Sequence, residues 1–216
     1  MTSAALQCIA IVTMLIDHMG YRLFPQYEIF RIIGRISFPI FAFMLAQGFI
    51  HSSNRKKYAL RLAVFAVVSE IPYQLFSQGV LWRKYPWSNI LFALLLALAA
   101  LWCVEKGKLW LLGAAGMVLI AETLDFMYGG YGVLIAIGFY VFRKKPWAGA
   151  VCLVACTVLY CWYHHNPLQF YAVLAAIPIC LYNGKKGARL PKYFGYAFYP
   201  VHLLVIYGLD YLMAII

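Results

Sequence analysis

Charged residues are scarce in this chain of 216 residues: they make up 12% of it, and Asp and Glu together number only 7. A soluble domain averages about 25% charged residues, because its surface has to face water. Here 65% of the residues are hydrophobic, and they form long continuous runs, unlike the alternating strands of a membrane barrel. The sequence therefore excludes a water-soluble domain and predicts an all-α, polytopic membrane helix bundle.

Long polar segments are missing too, since no gap between apolar runs could hold a folded domain. A membrane-spanning helix needs about 20 mostly apolar residues. We therefore expect one integral-membrane domain over residues 1–216 with about nine transmembrane helices, near 4–24, 29–50, 59–80, 89–104, 109–124, 130–142, 147–163, 167–182 and 194–214. The first run lacks the basic segment of a signal peptide, because the first positive residue is Arg22. It is expected to stay as a helix.

The sequence predicts no disulfide framework, no bound metal and no nucleic acid partner. The 6 cysteines all lie within apolar runs, and nothing near Cys152 and Cys156 completes a ligand set, so neither a disulfide framework nor a metal site is predicted. A net charge of +11 would indicate nucleic acid binding in a soluble protein. Here the positive residues cluster in short loops, which indicates membrane lipids as the partner and not nucleic acid.

The distribution of those positive residues predicts the orientation. With the N-terminus in the cytoplasm, the cytoplasmic loops hold Arg55, Lys56, Lys57, Lys106, Lys108, Arg143, Lys144, Lys145, Lys185, Lys186, Arg189 and Lys192, with Arg61 at a helix entry. The opposite side keeps Arg22, Arg83 and Lys84 in its loops. Because cytoplasmic loops of membrane proteins carry an excess of Lys and Arg, we expect a cytoplasmic N-terminus.

Several ionisable residues lie inside the predicted spans. Asp17 and His18 are in the first, Arg31 and Arg35 in the second, and Glu70 in the third. A charge near the centre of a bilayer costs at least about 2.5–3.5 kcal/mol and usually marks a functional site. In the predicted topology the first four lie toward the side away from the cytoplasm, near Asn89 and Asp125, and Glu70 lies near the middle of its span. His202 is expected on the cytoplasmic half.

Six segments of the chain carry a family resemblance. The chain resembles the TraX family, which includes conjugal pilin acetylases, in the segments LQCIAIVTMLIDHMG, RIIGRISFPIFAFMLAQGF, KKYALRLAVFAVVSEIPYQLF, NILFALLLAL, YGGYGVL and FYPVHLL. TraX proteins are distantly similar to acyltransferase-3 and heparan-glucosaminide acetyltransferase proteins. The resemblance implies a bacterial inner-membrane acetyltransferase with cytoplasmic acetyl-CoA as donor. The acceptor stays open: a peptide, a pilin or a glycan.

Acyl transfer needs a base, and His18 is the best candidate because its ordinary pKa is about 6.5. Neighbouring helical residues point about 100° apart, so Asp17 is expected to pair with Arg31 or Arg35 and not with His18. The two arginines share a helix face and need an anion between them: Asp17, Glu70, or a ligand carboxylate or phosphate. A purely structural role is the alternative for all four residues.

Other residues carry two interpretations each. Glu70 is a second acid–base group or a counter-ion, Asn89 an oxyanion donor or the N-cap of its helix, and Asp125 an N-cap or a site residue. His202 lies on the acyl-donor path or is a core histidine. Four basic residues either bind the phosphates of the donor or act as a topology signal: Arg55, Lys56, Lys57 and Arg61. Tyr128 and Tyr131 are assigned to an interfacial aromatic belt, and His164 and His165 to an exposed loop.

One position departs from the wider resemblance. Acyltransferase-3 proteins carry a basic residue eleven positions before their functional histidine, and here that position is Gln7. In all, the sequence predicts Asp17, His18 and Glu70 as catalytic, and Arg31, Arg35, Asn89, Asp125 and His202 as substrate-binding. Competing interpretations are a transporter or channel that uses the same buried charges, and a non-catalytic assembly factor.

Overall fold

The computed structural model describes residues 1–81, 87, 89–188 and 194–215, and these residues form helices and no strand. The helices are α1 (Ser3–Arg22), α2 (Glu28–Gly34), α3 (Ser37–His51), α4 (Arg55–Gln78), α5 (Ile90–Lys106), α6 (Leu111–Thr123), α7 (Gly129–Val141), α8 (Pro146–His164), α9 (Ala176–Cys180) and α10 (Phe194–Ile215). Two 3₁₀ segments, Lys108–Trp110 and Pro167–Ala175, precede α6 and α9.

Each of the nine predicted segments coincides with a helical segment, and consecutive segments run in opposite directions. The Ser3 and Ala4 N–H groups, at the start of α1, donate to the carbonyls of Lys185 and Lys186 at 2.9 and 3.0 Å. Arg55 pairs with Glu105 near the same end, which we call the Met1 end. At the opposite end, the Arg22 end, the Arg22 side chain donates to the Phe76 carbonyl at 2.9 Å.

Five of these segments are long and apolar enough to cross a membrane: Ser3–Arg22, Glu28–His51, Arg55–Gln78, Pro146–His164 and Phe194–Ile215. The chain is therefore a helical membrane protein. The helix α5 has 17 residues, and α7 and Pro167–Cys180 are shorter apolar helices, so nine crossings stay a prediction, as does the cytoplasmic N-terminus. Of the loop charges behind that prediction, Arg83, Lys84, Arg189 and Lys192 lie outside the described residues.

The second predicted segment, 29–50, is confirmed as a candidate span, Glu28–His51, but its helix is interrupted. Two helices, α2 and α3, meet at Arg35 and Ile36. Pro39 lies in the first turn of α3 and has no N–H to donate to the carbonyl four residues earlier, that of Arg35. The interrupted hydrogen bonding is therefore next to one of the predicted site residues.

The centre of the bundle is formed by α1, α3, α5 and α7, which carry most of the large buried side chains, among them Leu6, Ile40, Leu98 and Ile135. α7 packs closely against α8, since a Cβ on Gly138 would lie 2.4 Å from the Cys152 Sγ. On α6 and α8 large apolar side chains face outward, with Leu112 79% and Trp162 75% exposed. Such an apolar exterior is what a lipid environment favours.

Candidate functional site

Four cavities with shared walls run from one end of the bundle to the other. A Met1-end cavity of about 190 Å³ adjoins a central cavity of about 80 Å³ through Phe41, Leu91, Leu94 and Gly195. Asp17, His18 and Tyr128 separate the central cavity from a chamber of about 250 Å³ that we call the arginine chamber. The arginine chamber adjoins an Arg22-end chamber of about 440 Å³ through Tyr21, Tyr73 and Tyr160.

An ionic cluster forms the wall of the arginine chamber. One carboxylate oxygen of Asp17 pairs with Arg31 and the other with Arg35, each at 2.7 Å. Gly34 makes this approach possible, because a Cβ there would lie 2.1 Å from the Asp17 Oδ1. The predicted pairing of Asp17 across the hairpin is confirmed, and Asp17 is the anion between the two arginines. Because both its oxygens are engaged, its geometry supports a role in holding the guanidinium groups.

His18 contacts a second histidine. Its Nδ1 lies 2.7 Å from the Nε2 of His202, and the His202 Nδ1 lies 2.7 Å from the carbonyl oxygen of Phe198. A carbonyl can only accept, so the His202 Nδ1 carries the hydrogen, and the Nε2 of a neutral His202 is an acceptor. His18 therefore donates from Nδ1 and keeps its lone pair on Nε2, which is the arrangement a general base needs.

The predicted depth of His202 is wrong. The sequence placed it on the half of the membrane opposite His18, but the two imidazole rings stack with centroids 4.9 Å apart. The reason lies in where α10 begins. Gly195, in its first turn, lies beside Gln7, since a Cβ on Gly195 would be 2.8 Å from the Gln7 Nε2. α10 thus starts about a turn further into the bundle than α1, which brings His202 to the level of His18.

Gln7 itself lines the Met1-end cavity. It lies eleven positions before His18, which is about three helical turns, so both side chains lie within about 20° of the same face of α1. Gln7, where the chain departs from the acyltransferase-3 pattern, therefore borders the same series of cavities as His18, the candidate base.

Glu70 belongs to a separate cluster. Its carboxylate accepts from the Gln74 side chain at 2.9 Å and from the Asn89 side chain at 2.6 Å. Within the described residues it makes no ion pair with Arg31 or Arg35. Asn89 is the N-cap of α5, as one of its two interpretations predicted. Its amide also donates to the Ala66 carbonyl at 2.8 Å, so no N–H of that amide is left for an oxyanion.

The prediction that Tyr128 belongs to an interfacial belt is wrong. Its backbone has a φ of 65°, and its ring stacks on Phe38 with centroids 4.0 Å apart. This turns the hydroxyl toward Arg35, 3.5 Å from Nη1. Gln169, also missed by the sequence analysis, is fully buried and accepts from the same nitrogen at 3.3 Å. Tyr131 is likewise buried, with its hydroxyl 3.1 Å from that of Thr157.

Asp125 lines the Arg22-end chamber but does not cap a helix. α7 begins at Gly129 with Tyr128 as its N-cap, and the Gly130 N–H donates instead to the Glu122 carboxylate at 2.8 Å. Glu122, which the sequence analysis did not select, also lies 3.1 Å from the His164 Nε2. His164 thus takes part in a contact at the chamber wall, while His165 is exposed, as predicted.

The four basic residues predicted to bind donor phosphates are not brought together. Arg55 and Lys56 border a groove against Trp102 and Lys106 of α5, and Lys57 is exposed. Arg61 instead lies beside Tyr196, which lines the Met1-end cavity. Arg61 is therefore the member of the predicted set that is next to the series of cavities.

Together the fold and the site define a helical membrane protein with an ionic cluster and a histidine pair enclosed between its helices. The chain belongs to the TraX family: the family model described as TraX protein matches residues 2–210. The resemblance to this family is thereby confirmed.

Two relatives cover most of the chain. It is 28% identical to the probable fimbrial assembly protein FimC, serogroup H1, of Dichelobacter nodosus, over 93% of this chain and 92% of that protein. It is 27% identical to Protein TraX of Escherichia coli over 70% of this chain and 60% of that protein. No solved structure matches the chain.

Proposed function

We propose that this chain is an acyltransferase of the bacterial inner membrane that moves an acetyl group from cytoplasmic acetyl-CoA to an acceptor at or beyond the membrane. The observation that carries the proposal is the position of His18. It lines both the central cavity and the arginine chamber, so it lies where compounds entering from the two ends of the bundle would meet. Its Nε2, which has no hydrogen-bond partner among the described residues, is suited to accept a proton there.

In the proposed reaction, the amine or hydroxyl of the acceptor attacks the thioester carbonyl carbon. The His18 Nε2 accepts the proton that the nucleophile loses. A C–N or C–O bond forms and the C–S bond breaks, and the protonated His18 returns its proton to the departing thiolate. The Tyr128 hydroxyl, which lines the central cavity and the arginine chamber with His18, is the donor proposed for the developing oxyanion, where a preorganised donor lowers the barrier.

The donor is proposed to enter at the Met1 end, which we place in the cytoplasm. The apolar walls of the Met1-end cavity, such as Met44, Leu45 and Leu62, suit the long, weakly polar arm that carries a thioester. Arg61, beside this cavity, suits a phosphate at its entrance. Arg55, Lys56 and Lys57 would add positive potential around that entrance without contacting the acyl group.

The acceptor is proposed to enter through the Arg22-end chamber. A relative over nearly the whole chain is described as a probable fimbrial assembly protein, which supports a pilus subunit or another peptide as acceptor. The tyrosines and carboxylates of the chamber wall would also suit a glycan, so both acceptor types belong to the proposal.

The test is acetyl-CoA turnover by the full chain in nanodiscs, followed as release of free thiol. We expect slow thiol release by the wild type, its loss in His18→Ala, and normal release in the matched control His51→Ala. His51 is an exposed residue at the end of α3 whose ring contacts only the Gln47 carbonyl among the described residues. Gel filtration establishes that each variant is folded.

A calorimetric titration with acetyl-CoA completes the test, because a ternary mechanism gives no release without acceptor. Binding by both wild type and His18→Ala is expected. Thiol release by folded His18→Ala at the wild-type rate would show that His18 is not the base. Absence of acetyl-CoA binding, together with proton or substrate flux in liposomes, would support a transporter that uses the same buried charges.

A further inference from the structure

The arginine chamber has one more positive charge than its own carboxylate can balance. Arg31 and Arg35 share the single carboxylate of Asp17, which leaves a net charge of about one positive unit in the cluster. No other acidic residue lines this chamber among the described residues. A cation without a full counter-ion in a low-dielectric interior is costly, so a buried excess of this kind indicates a ligand of opposite charge.

The remaining wall of the chamber suits an anion too. It contains the polar side chains of Tyr73, Ser77, Tyr128, Asn166 and Gln169, most of which can donate a hydrogen bond. Two buried donors of residues that line it, the Arg35 Nε and the Ser77 Oγ, have no hydrogen-bond partner in the part of the chain that is described. Buried donors without partners are rare in native proteins, and both belong to residues that line this chamber.

We infer that Arg31 and Arg35 bind an anionic group, a carboxylate or a phosphate, that is carried by the acceptor; this rests on the proposed acyl transfer. A guanidinium presents paired N–H donors that match either oxyanion.

The position of the chamber assigns the anion to the acceptor and not to the donor. The chamber lies between His18 and the Arg22-end chamber, on the side away from Gln7 and Arg61. A group bound by the arginines would hold the acceptor with its nucleophile next to His18. Holding two reactants in this manner is itself a large part of catalysis.

Arg31→Gln is the informative variant, because Asp17 and Arg35 remain as an ion pair and no buried charge is left without a counter-ion. Phosphate affinity is measured from the rise in melting temperature of the full chain in nanodiscs, with inorganic phosphate replacing chloride at constant ionic strength. We expect at least a tenfold loss of phosphate affinity in Arg31→Gln and none in Arg143→Gln. The control removes the same charge at a site where Arg143 contacts Tyr140, away from the four cavities.

Asp17→Asn tests the charge argument in the opposite direction. Without the carboxylate the cluster has two unbalanced cations, so phosphate affinity is expected to rise. If this variant does not fold, the comparison of Arg31→Gln with Arg143→Gln tests the inference by itself. Equal phosphate affinity in wild type and Arg31→Gln would overturn the inference.

A titration with acetyl-CoA, without acceptor, separates the two sources of the anion. Its affinity is expected to be the same in wild type and Arg31→Gln, and a tenfold loss in the variant would assign the arginines to the donor and overturn the inference. The phosphate measurement uses no acyl-CoA. If acetyl-CoA neither binds nor reacts while phosphate affinity still depends on Arg31, then the transferase proposal fails and the anion site stands.

Discussion

Two buried polar clusters lie in the same half of the bundle, and they differ in what surrounds them. Asp17 borders the central cavity and the arginine chamber, Arg31 and Arg35 border the arginine chamber, and the cluster has an excess of positive charge. The Glu70 cluster joins α4 to α5 through hydrogen bonds to Gln74 and Asn89, and Glu70 lines none of the four cavities in the series. We infer from this comparison that a buried ionisable residue is a candidate for binding where it borders a cavity, whereas the hydrogen bonds of Glu70 join helices.

Glu70→Ala should have the largest effect on stability. It leaves the Asn89 and Gln74 donors without the carboxylate that they now share, which costs about 2–4 kcal/mol in the free energy of unfolding. The measurement is denaturant or thermal unfolding in detergent micelles. Thiol release per folded molecule should not change, and a folded Glu70→Gln variant without turnover would move Glu70 into the site.

Gly34→Ala tests the other cluster without changing any charge. The added Cβ would fall 2.1 Å from the Asp17 Oδ1 and 2.4 Å from its Cγ, so the carboxylate has to move away from the arginines. Overpacking of this kind costs about 1–3 kcal/mol. We expect both lower stability and altered phosphate affinity, measured as above. Lower stability with unchanged phosphate affinity would mean that the geometry of the cluster does not matter for the anion.

His202→Leu should affect the reaction more than the fold. It removes the acceptor that holds the His18 tautomer, so we expect thiol release to fall about 10- to 100-fold, or about 1.4–2.7 kcal/mol in the barrier. The affinity for acetyl-CoA should stay the same. His202→Gln, which can still accept from the His18 Nδ1, should restore part of the rate. Equal rates in the Leu and Gln variants would contradict the positioning role.

Arg22→Gln should have the smallest effect. The Arg22–Asp210 pair joins α1 to α10 at 2.7 Å, but its side chains are 23% and 32% exposed. Ion pairs near a surface contribute roughly 0–1 kcal/mol, so a small loss of stability and full thiol release are expected. A loss as large as that of Glu70→Ala would show that partial exposure does not weaken this pair.

The sequence predicted the elements of the fold well, because long apolar runs have few alternatives to helices in a membrane. The pairing of Asp17 with the arginines was also predictable, since the partners are close in sequence and a buried charge has to be balanced. The nine crossings were predicted from the lengths of the apolar runs and the orientation from the loop charges, and both stay predictions.

Contacts between distant segments were not predictable. The level of His202 depends on where α10 begins relative to α1, and no local pattern specifies that offset. Tyr128 reaches Arg35 because its backbone adopts a left-handed conformation. This conformation is uncommon for a tyrosine, so the sequence does not indicate it. The glycine that follows it was a usable signal: Gly129 has a φ of 50° and allows the Glu122 carboxylate to reach the start of α7.

The chain separation of the contacts described above has a consequence for biosynthesis. Asp17 is 14 and 18 positions from its two arginines, so their charges can neutralise one another as soon as the first hairpin has been inserted. His18 and His202 are 184 positions apart. The charged residues of the cluster can therefore pair early in membrane insertion. The histidine pair forms only after the last helix has entered the membrane. A chain truncated before α10 would keep the ion cluster but lack the histidine pair.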